Sequence, residues 1–411
     1  MTVTILEGDV RAMLATLPDE SVDLALYSPP YWGLRDYGVE GQLGMEPTIG
    51  EHIATQVEIA EQVRRILKPH GSCFINYGDC YATTPNGRSA ADTKLLGNDD
   101  RTFRDKPFST IGGSIKAKDL CMIPNRLAIA LQDAGWWVRS EIIWGKTNPM
   151  PDSSGSQRPS TSHEKIFWLA KSDDAPIWRA RDTGELSFLP DLSEHCPLIT
   201  KPDKTGARWI KIGTYYDANA VMQGRTSDEN ANGFRGGSYV GGKPGPRTTV
   251  GNRRVKMPDG WDSAAGGHGS HHRNGREKGA RAVTPRHEGH INHTGMETLG
   301  RDEGRFLRNY EPASLPVWEM AIEPYKEAHF ATFPTELARR AIMAACPPGG
   351  TVLDPFFGSG TTGMVADRLG CHCIGIELSP TYVAMARARV QGDSPLFAEV
   401  SMGISGVAGE R

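Results

Sequence analysis

The residues best equipped for chemistry stand together at Ser28-Pro29-Pro30-Tyr31-Trp32. They follow Val22-Asp23-Leu24-Ala25-Leu26-Tyr27, a short apolar run that reads as a buried strand. Two consecutive prolines continue neither strand nor helix, so the chain must turn out of a sheet here. Neither proline carries an N–H, which leaves a backbone carbonyl free to face a cleft. Ser28 adds a small hydroxyl, and Tyr31 and Trp32 add flat aromatic faces. Acceptors on the floor of a pocket and a stacking wall at its side suit a flipped-out nucleobase with an exocyclic amino group. The same residues also suit an ordinary strand-end turn with core aromatics, and this stretch alone does not decide between the two.

A second stretch, Asp354-Pro355-Phe356-Phe357-Gly358-Ser359-Gly360-Thr361-Thr362-Gly363, follows the strand-like Thr351-Val352-Leu353 and precedes a helical run from about Met364 to Leu369. A strand, a tight Gly-rich turn and a helix bring backbone close to a ligand in doubly wound folds. The turn lacks the lysine of a phosphate-binding loop and the spacing of a dinucleotide fingerprint. The next strand, Cys373-Ile374-Gly375-Ile376-Glu377, ends in an acid, a common holder of ribose hydroxyls. The expected ligand is a nucleoside without a tightly cradled phosphate.

The Ser-Pro-Pro-Tyr and Asp-Pro-Phe-Phe-Gly-Ser-Gly-Thr stretches resemble the catalytic and S-adenosylmethionine motifs of the amino-methylating DNA methyltransferases. The catalytic motif precedes the cofactor motif, which resembles the family's permuted β-type order. The resemblance covers roughly residues 1–171 and 310–392. It implies catalytic roles for Ser28, Pro29, Pro30 and Tyr31. It implies that Asp354, Phe356, Gly358, Ser359, Gly360, Thr361 and Glu377 hold S-adenosylmethionine, and that Asp9 helps bind the adenine or shape the site. Phe330, Thr332, Phe333 and Pro334 resemble the family's third cofactor motif, although Phe330 and Phe333 would serve equally as core. The implied partner is double-stranded DNA, with a cognate restriction endonuclease as a further candidate and either a monomer or a homodimer as the assembly. Serine at the head of the catalytic motif resembles the N4-cytosine enzymes, whereas aspartate is usual for N6-adenine enzymes.

Several elements must position these groups. Strand candidates are Thr2 to Leu6, Val22 to Tyr27, Ser72 to Tyr77, Trp137 to Trp144, Lys165 to Ala170, Thr351 to Leu353 and Cys373 to Glu377. Helical patterns separate many of them: Val10 to Leu17, Ile53 to Leu67, Leu120 to Ala134 interrupted at Pro124, Thr335 to Ala345 and Pro380 to Val390. The expected fold is α/β, a doubly wound, mostly parallel Rossmann-like sheet carrying an insertion. Lys68-Pro69-His70-Gly71 reads as the end of a helix, and residues 78–118 as a long loop.

DNA contact is expected at Trp32, at Arg35 (which could instead pair with Asp36), and in the loop that offers Lys146, Asn148 and Arg158. Composition changes at Ser172. Residues 224–300 hold 17 glycines, and 225–310 carry 15 Lys and Arg against 9 Asp and Glu, with six histidines. A locally basic stretch, including Arg253 and Arg254, in a chain of net charge −3 is where nucleic acid would be met. The chain therefore divides into a catalytic half (1–171), a target-recognition insertion (172–310), a cofactor half (311–392) and a frayed tail (393–411). The insertion also reads as a solvated loop.

Several functions are set aside. Methylation at cytosine carbon-5 needs a cysteine nucleophile, usually after a proline, and the chain has no Pro-Cys dipeptide. The histidines lack cysteine partners and zinc-site spacing, so no metal is expected. Seven scattered cysteines suit reduced thiols in a cytoplasmic protein, and the resemblance implies a prokaryotic or phage-encoded one. No apolar run reaches membrane-spanning length, and the first residues do not read as a signal peptide. A methyltransferase of protein or small molecules and a silent DNA-binding protein remain as alternatives.

Overall fold

Apolar residues on both sides of a strand mark it for the interior of a two-faced sheet, and Val22–Tyr27 is buried at every position. The computed structural model describes residues 1–34, 39, 41–83, 108–149, 158–180, 185–188, 209–218, 220–221, 316–323, 334–393 and 399–403. In chain order the elements are β1 (Thr2–Glu7), α1 (Val10–Thr16), β2 (Val22–Tyr27), α2 (Ile49–Ile66), β3 (Leu67–Tyr77), α3 (Ile123–Asp133), β4 (Trp137–Lys146) and β5 (His163–Ala170). Then come β6 (Ala175–Ala180), β7 (Leu186–Ser187), β8 (Trp209–Gly213), β9 (Val317–Met320), α4 (Thr335–Ala345) and β10 (Thr351–Asp354). The last are α5 (Thr361–Arg368), β11 (His372–Glu377), α6 (Pro380–Asp393) and β12 (Glu399–Gly403).

Nine of the described strands form one sheet in the order β12-β1-β11-β10-β2-β3-β5-β4-β9, and β7-β6-β8 form a second. Every pairing from β12 to β3 is parallel, as is β4 with β9; β5 runs antiparallel to both β3 and β4. The sheet is α/β and mostly parallel, as the sequence implies. The C-terminal ends of β1, β2, β3, β4, β10 and β11 consequently lie along one edge. The antiparallel β5 brings its N-terminal end to that same edge.

The two faces carry separate cores. Leu14, Ile59, Val63, Leu127 and Leu131 from α1, α2 and α3 cover Ala25, Cys73 and Ile75 on one face. Leu337, Ala341 and Ile342 of α4 and Val365 of α5 cover Leu24, Leu26, Phe74 and Val352 on the other. Each fully buried Leu or Ile contributes about 1.5–3 kcal/mol. Asp23 locks the opposite edge. Its carboxylate accepts from Lys68 Nζ at 2.8 Å and from the Thr351 N–H at 2.9 Å, and meets His70 Nε2 at 2.9 Å. Burial pushes its pKa up, but His70, Lys68 and the Thr351 amide outweigh this and hold it below the usual carboxylate value.

Local chemistry moves several boundaries. Thr48 and Glu51 form a reciprocal capping box, so α2 starts at Ile49 rather than Ile53. Pro124 lies in the first turn of α3 and opens that helix instead of interrupting it. Residues 68–71 are not a turn: they belong to β3, which begins at Leu67. Glu399–Gly403 pairs in parallel with Thr2–Leu6, so part of the expected tail is an edge strand. Its apolar–polar alternation is too short to stand out in sequence. The described residues all lie in one compact unit formed by Met1–Val221 and Leu315–Arg411. Tyr215 N–H donates to His70 O, and Asp217 N–H to Ala344 O, tying residues after β8 to that unit.

Candidate active site

One cavity of about 430 Å³ opens at the strand-end edge and joins both motifs. Ser28, Pro29, Pro30 and Tyr31 line it with Asn76, Lys146 and Glu164; Asp9, Asp354, Phe356, Gly358, Ser359, Thr361 and Glu377 line it elsewhere.

The Gly-rich turn is held from three sides. Asp354, 1% exposed, accepts from the Thr362 hydroxyl at 2.6 Å and the Phe356 N–H at 3.0 Å. Gly360 has φ +81°, and a Cβ there would stand 3.0 Å from that of Ala386, so a side chain would meet both backbone strain and α6. Arg389 of α6 donates to the Ser359 and Thr361 hydroxyls, each at 2.9 Å. Glu377 accepts from the Gly358 N–H through Oε2 and from the Ser379 N–H through Oε1, both at 2.8 Å. Each of its oxygens keeps a second lone pair for a ligand.

Burial raises the Glu377 pKa, with the Ser379 and Gly358 amides opposing. Burial likewise pushes Asp354 up to about 7 against the Thr362 and Phe356 hydrogen bonds, with the Glu377 charge adding to the rise. A buried and a half-buried acid, neither with a countercharge of its own among the described residues, fit a cationic nucleoside. Asp9 caps α1, its Oδ1 accepting from Arg11 and Ala12 N–H at 3.0 and 3.1 Å, while also lining the cavity.

At the other end, Tyr31 lies stacked on Tyr77, ring centroids 4.5 Å apart, which leaves one face to a planar guest. Gly78 permits this packing, since a Cβ there would come within 2.9 Å of the Tyr31 ring. The platform itself is anchored. Tyr77 Oη lies 2.7 Å from His52 Nε2 and accepts from Trp32 N–H at 3.0 Å, and His52 Nδ1 lies 2.8 Å from Glu46. The Ser28 hydroxyl donates to Tyr31 Oη at 3.3 Å, and Tyr31 donates to Glu164 Oε2 at 2.8 Å. Asn76 Nδ2 donates to the same Glu164 oxygen at 2.8 Å, and Lys146 Nζ to Oε1 at 2.6 Å. Asn76 is 2% exposed, and its Oδ1 has no partner among the described residues. Burial, followed by the Glu164 charge, raises the Tyr31 pKa well above the usual phenol value despite the Ser28 hydrogen bond, so Tyr31 stays a neutral phenol.

Four expected DNA contacts lie among the described residues. Trp32 is buried, its Nε1 donating to Glu46 O at 2.8 Å, so it braces the site from behind. Lys146 turns inward to Glu164. Asn148 spends both ends of its amide on the Ile322 backbone, at 3.2 and 2.6 Å. Arg158 is half-buried and stacks over Tyr81, 3.6 Å from the ring centre. Pro334 opens α4 and accepts the Leu337 N–H at 3.0 Å; it is not among the lining residues. Arg35, Arg253, Arg254, Phe330, Thr332 and Phe333 lie outside the described residues. Asn76 and Glu164 escape sequence reasoning. The only signal for Asn76 is a polar residue in the apolar run Cys73–Tyr77, and Glu164, between His163 and Lys165, carries none.

A doubly wound sheet with a Ser-Pro-Pro-Tyr turn and a Gly-rich turn on one cavity fits a nucleobase-modifying transferase. The family model described as DNA methylase, covering N6 and N4 methyltransferases, matches residues 22–388, and the chain belongs to that family. The Type II methyltransferase M.Cfr9I of Citrobacter freundii is 32% identical over 390 residues, which span 95% of this chain and 88% of that one. M.SmaI of Serratia marcescens, also a Type II methyltransferase, is 32% identical over 94% of this chain and 90% of its own. Among solved structures, the cytosine-N4-specific PvuII DNA methyltransferase is 15% identical, with TM-score 0.47, covering 97% of this chain and 96% of that one. The family uses S-adenosylmethionine, which supplies a methyl group on a positively charged sulfur. The acids at Asp354 and Glu377 and the ring of Phe356 fit such a donor. No helix among the described residues is long and apolar enough to cross a membrane.

Proposed function

We propose that this chain transfers a methyl group from S-adenosylmethionine to the exocyclic amino nitrogen of a base flipped out of duplex DNA, and that the base is cytosine, modified at N4. The observation that carries this reading is the single cavity lined by both the Ser28–Tyr31 turn and the Asp354–Glu377 acids. An exocyclic amino nitrogen is a poor nucleophile because its lone pair is conjugated into the ring. Acceptors at Ser28 and at the prolyl carbonyls hold its hydrogens and favour a tetrahedral nitrogen. The exposed face of Tyr31 fixes the ring plane, and positioning supplies much of the rate. Flipping costs a few kcal/mol, which stacking on Tyr31 offsets.

Serine at the head of the catalytic turn supports cytosine over adenine. The named relatives are Type II methyltransferases, so a defined DNA sequence and a cognate endonuclease in a prokaryotic cytoplasm complete the reading. The basic stretch within 172–310 is the proposed site of sequence recognition, with Arg158 and Arg35 at the phosphates. Nucleoside mass spectrometry of DNA from cells expressing the protein, with a Tyr31→Ala control, tests it. N4-methylcytosine supports the reading in full. N6-methyladenine keeps the mechanism and reverses the base. Neither mark, from folded protein that binds S-adenosylmethionine, overturns it.

A further inference from the structure

The hydrogen bonds at the acceptor end of the cavity have a direction. Ser28 donates to Tyr31, Tyr31 donates to Glu164, and Asn76 and Lys146 each donate to Glu164. Tyr31 Oη also accepts from Asn76 Nδ2 at 3.3 Å, so its own proton is committed to Glu164. Every hydroxyl on this path points its proton away from Ser28 and toward the carboxylate. Glu164 comes from the antiparallel strand β5, across the sheet from the Ser28 turn, and its side chain is only 15% exposed.

Methylating an amino nitrogen leaves it with one proton too many. As the nitrogen lone pair forms the new N–C bond, the electron pair of the broken S–C bond returns to sulfur, and the positive charge passes to nitrogen. That charge is discharged by losing a proton inside the cavity. We infer that Glu164 is the terminal acceptor of this proton, reached through Ser28 and Tyr31. The amino proton moves to Ser28 Oγ, the Ser28 proton to Tyr31 Oη, and the Tyr31 proton to Glu164 Oε2. Ser28 and Tyr31 end neutral as they began, the methylated amine is neutral, and Glu164 is a carboxylic acid. Lys146 holds the second oxygen and keeps Oε2 turned to Tyr31. Glu164 acts through other residues and is in that sense a positioning residue. The charged and titratable groups around it are Lys146 on β4 and Tyr31 after β2, with Asp9, Asp354 and Glu377 elsewhere along the cavity wall. The inference rests on the methyltransferase reading and holds for either amino-bearing base.

The test is single-turnover methyl transfer from saturating S-adenosylmethionine to duplex DNA across pH, for the wild type, Glu164→Gln, Tyr31→Phe and the double variant. Glutamine keeps the shape and can still hydrogen-bond but takes up no proton. The expected result for Glu164→Gln is a rate about 10²-fold lower. The pH dependence of its rate is expected to differ from that of the wild type, while the part that comes from Asp354 remains. The double variant is expected to be no slower than the slower single, because both break one path. Binding of S-adenosylmethionine and DNA, measured calorimetrically, is expected to change less than threefold in Glu164→Gln, which separates proton handling from misfolding. A Glu164→Gln rate and profile equal to wild type overturn the inference and leave the methyltransferase reading standing. Additive losses in the double variant also overturn it. No methyl incorporation by the wild type on any DNA defeats the parent reading instead.

Discussion

The two ends of the cavity are built in opposite ways. The cofactor end comes almost wholly from one continuous segment, β10, the Gly-rich turn, α5, β11 and the start of α6, with Asp9 beside it and Arg389 bracing the turn from behind. The acceptor end is gathered from the turn after β2, the end of β3, the end of β4 and the start of β5. The first places backbone N–H groups and two acids, while the second places side chains in a directed network. A local site tolerates changes elsewhere in the sheet, whereas an assembled one depends on the register of four strands. Asn76 faces Ile166 across β3 and β5, two residues from Glu164, and Trp144 faces Glu164 itself across β4 and β5.

The sharpest way to separate the ends is Tyr31→Ala. It removes the stacking face and the link to Glu164 while leaving the Gly-rich turn untouched. Methyl transfer is expected to fall about 10³-fold with S-adenosylmethionine affinity unchanged, read by labelled-methyl incorporation beside calorimetry. Equal losses of transfer and cofactor binding would show that the two ends are not independent. Asp23→Ala attacks neither end but the frame that both share. Removing the buried partner of Lys68 and His70 is expected to cost about 3 kcal/mol, seen as a lower urea midpoint. Because the Asp23 pKa is depressed, its contribution is present at neutral pH and is lost as pH falls through the folded-state value.

Glu377→Ala is the mirror of the tyrosine change. It strips two backbone N–H groups of their acceptor and is expected to weaken S-adenosylmethionine about 10²-fold, with a smaller effect on transfer at saturation. The smallest effect is one of pH. Asp354 titrates at about 7. A cationic ligand favours its ionised form, so affinity is expected to fall about tenfold from about pH 8 to about pH 6, and Asp354→Asn is expected to flatten that dependence.

This contrast also explains how much was legible in the sequence. The cofactor end is local, so spacing alone marks the strand–turn–helix and the acid at Glu377, and the resemblance adds Asp354, Gly358 and Gly360 as candidates on it. At the acceptor end only Ser28 to Tyr31 is contiguous. Asn76 and Glu164 become neighbours because β5 reverses direction beside β3, and single-sequence periodicity carries no pairing order. Trp32 and Lys146 attract a DNA-contact reading in sequence because they are aromatic and basic residues near a site. Burial of Trp32 and the ion pair of Lys146 with Glu164 turn both inward. Strand β12 and the start of β3 were missed for a plainer reason. One is five residues long, and the other contains Pro69 and Gly71, which read as a turn.

The strand order carries a consequence for how the chain comes to exist. The neighbours of β1 in the sheet are β11 and β12, and β2 lies against β10. A nascent chain that has not yet reached His372 holds β1 without either of its neighbours, and β2 has one side open until Thr351–Asp354 arrives. Pairings this distant in sequence make folding slow and leave unpaired strand edges exposed meanwhile. The sheet is therefore closed only once β10, β11 and β12 have been made, and a product truncated before β10 is expected to aggregate rather than to persist as a folded half.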